Sequence, residues 1–169
     1  MEIEVVMQYL SNYGLVAIFI IVLLEYLNLP GFPAGVIMPV AGVWAAEGNK
    51  NFFVTILITV LAGMTGSVIL YCFGRTGGEI FLKKYYKRFP KQQALIEGKM
   101  NYLKEKGEVG IFVSKLLPMV RTLISIPAGV IQMNFIRYCI SSCLGVFVWN
   151  LVFVGAGYLF GDAVFSVLG

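Results

Sequence analysis

The sequence predicts an all-α polytopic membrane protein. Its plan is an inverted repeat of a re-entrant hairpin followed by a transmembrane helix, with amphipathic cytoplasmic helices joining the halves. Three observations predict this. First, 59% of the 169 residues are hydrophobic, 13% are charged, and the mean hydropathy is +0.83. A soluble domain carries roughly 25% charged residues, so lipid is the natural solvent for this chain. Second, residues 52–73 and 138–161 carry no charge at all, and each run exceeds the roughly 20 residues a spanning helix needs. Third, two apolar segments are broken by proline and glycine, and a short string recurs within them: Pro33-Ala34-Gly35-Val36-Ile37 and Pro127-Ala128-Gly129-Val130-Ile131.

The elements follow in order, within a single membrane domain covering residues 1–169. A first helix is expected over 12–27; its apolar run, Tyr13 to Leu24, is short for a span and ends at Glu25. Residues 28–46 hold Pro30, Gly31, Pro33, Gly35, Pro39 and Gly42, a density that breaks a helix. Broken backbone at membrane depth is tolerated only where protein or a wet cavity shields it, so this segment reads as re-entrant hairpin 1, with a kinked spanning helix as the alternative. A transmembrane helix is expected over 52–73. Residues 76–107 form a basic interfacial connector. Nine of the 13 basic residues lie within 74–108: Arg75, Lys83, Lys84, Lys87, Arg88, Lys91, Lys99, Lys104 and Lys106. Residues 109–133 hold Lys115, Pro118, Arg121, Pro127 and Gly129 and read as re-entrant hairpin 2, and 136–161 as the last transmembrane helix. The positive-inside rule places the connector in the cytoplasm of a plasma (inner) membrane protein, where it could also attract anionic head groups. Hairpin 1 then enters from outside and hairpin 2 from the cytoplasm. Paired interrupted segments in two halves are a sequence pointer to a transporter binding site.

Several chemistries are excluded or disfavoured. The chain has no histidine, which removes imidazole as base, nucleophile or ligand. Asp162 is the single aspartate and the glutamates are scattered, whereas Mg²⁺-dependent phosphotransfer needs clustered carboxylates. Cys72, Cys139 and Cys143 sit in apolar runs with no ligand-like spacing and read as small hydrophobes. No metal, cofactor or nucleic acid is expected. No cleavable signal peptide is expected either: Glu2 and Glu4 stand where a basic n-region would.

Three ionisable residues lie in apolar surroundings: Glu25, Lys115 and Arg121. A charge at the centre of a spanning helix costs about 2.5–3.5 kcal/mol, so each needs a partner, water or a substrate. Lys115 and Arg121 flank Pro118, and one hairpin could turn both toward one cavity. A point charge and a bidentate fork together suit a phosphate. Glu25 is expected to pair with Arg121 when no substrate is bound, or to load and release a proton. The plainer alternatives are snorkelling for Lys115 and a structural tie for the other two. Ser67, Tyr71 and Arg75 share a helix face at four-residue spacing and are secondary candidates. Gly63 and Gly66 suit close helix contact. Trp149, Asn150 and Tyr158 lie in the last helix, where Asn150 is expected to face protein.

These residues resemble those of the DedA family, within the group of SNARE-associated or VTT-domain proteins. The resemblance runs from about Tyr13 to Gly161. It rests on Glu25 through Gly42 (EYLNLPGFPAGVIMPVAG), Gly63 through Gly78 (GMTGSVILYCFGRTGG) and Lys115 through Met133 (KLLPMVRTLISIPAGVIQM). It implies two hairpins entering from opposite faces, with structural roles for Pro30, Pro33, Gly35, Pro118, Pro127 and Gly129. It also implies a flippase for undecaprenyl phosphate or a similar lipid phosphate. Other members are linked to moving or scrambling phospholipids, and some to proton-dependent membrane homeostasis. Departures from the family pattern are Gly35 and Ser67 where carboxylates are often found, and Lys115 in place of an arginine. Glu25 and Arg121 are retained. Loss of two carboxylates weakens proton coupling and leaves an anion-receiving site. The implied partners are membrane lipids and a lipid phosphate. A proton or cation is a candidate coupling ion, and a homo-oligomer a candidate assembly. Phosphatidylethanolamine scrambling, a cargo-free scaffold and a lipid-modifying enzyme are the rival readings, the last the weakest.

Overall fold

The computed structural model describes residues 3–27, 36–48, 50–88, 90–118 and 120–161. Pro30, Pro33 and Gly35 lie outside the described residues. All described elements are helices: α1 (Ile3–Tyr26), α2 (Ile37–Glu47), α3 (Phe52–Arg88), α4 (Pro90–Lys115), α5 (Val120–Leu123), α6 (Ser125–Val130) and α7 (Phe135–Leu159). The chain divides into two compact units, 1–66 with 146–169, and 67–145. Their boundaries fall inside α3 and inside α7.

Two helices, over Phe52–Gly78 and Phe135–Leu159, are long and apolar enough to cross a membrane. Their exposed positions argue for lipid around them. On α7 the exposed large residues are Ile136, Ile140, Leu144, Phe147, Val148, Leu151 and Val152; on α3 they include Phe53, Leu57, Leu61, Ile69 and Phe73. The buried positions of the same helices include Thr55, Thr59, Ser67, Ser141, Ser142 and Asn150. Apolar residues outside and polar ones inside is the pattern that hydrocarbon selects. The helix expected to end at residue 73 runs on: α3 continues unbroken from the uncharged run to Arg88. At 1.5 Å per residue it is about 55 Å long, well beyond a hydrocarbon core of about 30 Å. The connector is thus the end of α3 and the start of α4, with Leu82 and Leu103 buried and Lys83, Lys84, Lys87, Lys104 and Lys106 exposed.

Asparagines start both long helices. Asn51 Oδ1 accepts from the backbone N–H of Phe53 (2.9 Å) and Val54 (3.3 Å), and Asn134 Oδ1 from that of Arg137 (3.1 Å). Each satisfies donors that have no partner within the helix. Asn51→Ala should cost about 1 kcal/mol, read as a lowered thermal midpoint in detergent.

The first unit holds α1, α2, the start of α3 and the end of α7. Its helix α1 is two pieces joined at Gly14 (φ 57°, ψ −133°), a left-handed conformation that glycine adopts without penalty. Residues Ile37 to Ala45 of α2 are all buried, and α2 packs on α1. It crosses α7 at almost no separation. A Cβ on Gly42 would stand 2.1 Å from the Val154 carbonyl oxygen, and one on Gly157 would stand 1.9 Å from that of Pro39. Gly63 and Gly66 of α3 admit Tyr26: a Cβ at either would come within 2.8 Å of its side chain, so the small-residue contact expected there exists.

The second unit repeats this construction. Helix α4 is two pieces joined at Gly107 (φ 55°, ψ −126°). Beyond Lys115 the chain breaks into short α5 and α6, which pack on α4. Helix α6 crosses α3 as α2 crosses α7: a Cβ on Gly129 would lie 2.1 Å from the Tyr71 carbonyl oxygen, and one on Gly74 would lie 2.3 Å from that of Ile126. In both crossings each glycine faces the carbonyl three residues before its partner glycine. In the second broken segment the helix is interrupted between Lys115 and Val120.

Candidate functional site

The second unit carries the candidate site, because it buries two cations. Lys115 ends α4 and Arg121 lies in α5, and both side chains are 0% exposed. Of that unit's acidic residues, Glu97, Glu105 and Glu108 are exposed. Snorkelling of Lys115 to an interface, the plainer sequence reading, is overturned by its burial.

What Lys115 does is read from three of its hydrogen bonds. Its Nζ donates to Ser67 Oγ of α3 (2.8 Å), to the Arg121 carbonyl oxygen of α5 (2.9 Å) and to Ser125 Oγ of α6 (3.1 Å). Three acceptors match the three N–H donors of an ammonium. Charge-assisted bonds of this kind offset the several kcal/mol that burying an ion costs. The side chain therefore ties the turn after α4 to three helices, and Gly145 of α7 leaves room for its stem, since a Cβ there would be 2.5 Å from Lys115 Cβ.

Tyr138 of α7, fully buried, extends the set. Its hydroxyl lies 3.1 Å from the Ser67 carbonyl and 2.8 Å from Ser125 Oγ. It has one proton, and a carbonyl can only accept. The consistent assignment sends that proton to Ser67, while the Ser125 hydroxyl donates to Tyr138 and accepts from Lys115. The Tyr138 ring stacks on Tyr71 with centroids 4.5 Å apart and planes 23° off parallel. Tyr71 in turn donates to the Met133 carbonyl and accepts from Arg75 Nη1 at 3.0 Å. Ser67, Tyr71 and Arg75 thus lie along α3 as their spacing predicts, the first two buried and Arg75 exposed.

Among the predicted structural residues, Pro127 and Gly129 are buried in α6, and Pro118 is exposed in the turn before α5. Glu25 lies in the first unit, 2% exposed in the last turn of α1, beside Tyr26. The Tyr26 hydroxyl donates to Asn150 Oδ1 at a long 3.4 Å, and Asn150 is fully buried, facing protein as expected. Sequence reasoning missed Ser125 and Tyr138. Ser125 carried a signal, a hydroxyl inside a proline-broken apolar segment that already held two cations. Tyr138, at the start of an uncharged run, looks like any interfacial tyrosine.

The model of the VTT domain matches residues 32–159. The chain belongs to the VTT-domain (DedA) family. This VTT-domain chain is 29% identical to undecaprenyl phosphate transporter A of Bacillus subtilis over 157 residues, 93% of this chain and 77% of the relative. It is 29% identical to the protein of the same name in Staphylococcus aureus over 164 residues, 95% of this chain and 80% of the relative. It is 33% identical to the membrane protein YkoX of Bacillus subtilis, with 98% of this chain and 75% of the relative covered. No solved structure matches significantly. Family membership and the lipid-facing surfaces of α3 and α7 together make this an integral membrane protein.

Proposed function

We propose that this VTT-domain protein is a membrane lipid translocase, not an enzyme, and that it moves undecaprenyl phosphate or a similar lipid phosphate across the bacterial plasma membrane. The observation that carries the reading is the burial of Lys115 and Arg121 in one unit, at the end of α4 and on the short α5 that follows it. Two buried cations create a field that favours an anion. Arg121 is assigned the direct contact, because its fork matches two phosphate oxygens. Lys115 adds charge, while its protons hold the turn.

In this reading both broken segments are re-entrant hairpins of an inverted repeat, the first entering from outside and the second from the cytoplasm. The recurrence of the glycine-bent helix and of the reciprocal glycine crossing supports that plan. The connector over 76–107 is assigned to the cytoplasm from its basic charge. Glu25 is the group assigned to proton-coupled release. The transporter names of the two relatives at 29% identity support the cargo.

The test is reconstitution in liposomes carrying labelled undecaprenyl phosphate or labelled phosphatidylethanolamine. Selective flipping of the lipid phosphate is expected. Equal rates for both lipids would establish scrambling instead, and rates no greater than those of empty liposomes would reject transport of either.

A further inference from the structure

Four side chains close a ring in the second unit. Lys115 Nζ meets Ser67 Oγ and Ser125 Oγ, Ser125 meets the Tyr138 hydroxyl, and Tyr138 returns to the Ser67 carbonyl. All four are buried. Tyr138 and Ser125 are uncharged and stand outside every role assigned so far.

We propose that Tyr138 and Ser125 are positioning residues for Arg121: the ring they close holds Lys115 against the Arg121 carbonyl and so fixes the turn that presents the guanidinium. The inference rests on the lipid-phosphate reading for its functional consequence. The physical argument concerns competition for one oxygen. Lys115 Nζ donates to the Arg121 carbonyl at 2.9 Å. Ser125 opens α6 and Arg121 lies in α5, but the Ser125 hydroxyl and the Arg121 carbonyl share one donor, Lys115 Nζ, at 3.1 and 2.9 Å, and serine hydroxyls bond readily to nearby backbone carbonyls. Engaged with Tyr138, the Ser125 hydroxyl leaves that carbonyl to Lys115. Without the tyrosine hydroxyl, Ser125 turns back to the carbonyl and competes with the ammonium. The Ser67 carbonyl, buried in α3, loses a donor as well. A phosphate fork tolerates little angular error, so a loosened turn weakens ground-state capture of the head group first.

Tyr138→Phe deletes only the hydroxyl and keeps the ring on Tyr71. Ser125→Ala acts by the other route: it takes an acceptor from Lys115 Nζ and the partner from Tyr138, so the ammonium is held less firmly against the Arg121 carbonyl, and Ser125→Thr restores a hydroxyl. Ser141→Ala is the control: it lies one turn along α7, and its hydroxyl donates to the Glu108 carbonyl, outside the ring. In reconstituted full-length protein, Tyr138→Phe and Ser125→Ala should raise the apparent KM for undecaprenyl phosphate about fivefold, the effect of one lost buried hydrogen bond. The maximal rate should stay within a factor of about two. Ser125→Thr and Ser141→Ala should keep the wild-type KM. Independently of transport, hydrogen exchange of residues 116–125 should speed up in Tyr138→Phe and not in Ser141→Ala. Unchanged KM and unchanged exchange in both ring variants would overturn the proposal. So would a loss of maximal rate and folded protein with KM unmoved, since that is what a merely structural contact gives. A wild-type protein that flips no lipid phosphate would instead remove the functional reading, and the exchange experiment would still decide whether the ring fixes the turn.

Discussion

A single methyl group at position 157 is expected to cost the protein its fold. The Cβ of Gly157→Ala would stand 1.9 Å from the Pro39 carbonyl oxygen and 2.7 Å from its carbon. Both are backbone atoms, so no side chain can rotate away, and α2 and α7 must separate by more than an ångström. Overpacking a core costs about 1–3 kcal/mol when side chains can adjust; here the cost exceeds that range. Gly74→Ala meets the Ile126 carbonyl oxygen at 2.3 Å in the second unit and should behave alike. The neighbours supply the contrast. A Cβ on Gly155 meets nothing closer than Phe52 Cζ at 3.9 Å, and Gly77 has nothing within 4 Å. Alanine at either should be tolerated or should stabilise by up to about 1 kcal/mol through helix propensity. Yield of monodisperse protein and thermal midpoint in detergent check both halves of this prediction.

Arg121→Ala should lower transport by more than any loss of folded protein from emptying its fully buried position. Two charge-assisted hydrogen bonds to a phosphate contribute about 1.5–3 kcal/mol each, so their loss lowers flipping about a hundredfold or more. Arg121→Lys keeps the charge and loses the fork, and should fall between. Arg137→Ala is the comparison. Its ion pair with Glu108, 3.3 Å long, is 70% and 49% exposed on its two sides. Such a pair contributes about 0–1 kcal/mol, and flipping should be unchanged. The initial rate of labelled lipid-phosphate flipping, normalised to folded protein, reads all three.

Much of this was legible in the sequence, and the physical reasons are specific. The uncharged runs announced α3 and α7 because hydrocarbon excludes charge over a fixed length. Lys115 and Arg121 stood out because buried charge is costly enough to need a reason. The reciprocal crossings were half visible. The repeated string marked Gly129 as structural, but its partner Gly74 lies 55 positions away in an ordinary helix, and Gly42 meets Gly157 over a greater distance still. Periodicity carries no information about which helices meet. The hydrogen bonds of Lys115 Nζ to α3, α5 and α6 were not legible in the sequence, because only the fold brings those helices together. The unbroken passage of α3 into the basic region leaves no mark in the charge pattern, because lysine, arginine and glutamate are good helix formers and a helix can run on past the end of an uncharged stretch.

The central claim is that the second unit's buried cations receive a phosphate head group, and equilibrium binding to the purified protein tests it most directly. Undecaprenyl phosphate and a zwitterionic phospholipid should be titrated side by side against wild type and Arg121→Ala. The account predicts at least about tenfold tighter binding of the lipid phosphate by wild type, a difference of about 1.4 kcal/mol, and loss of that preference in the variant. Equal affinities for the two lipids in the wild-type protein would contradict it.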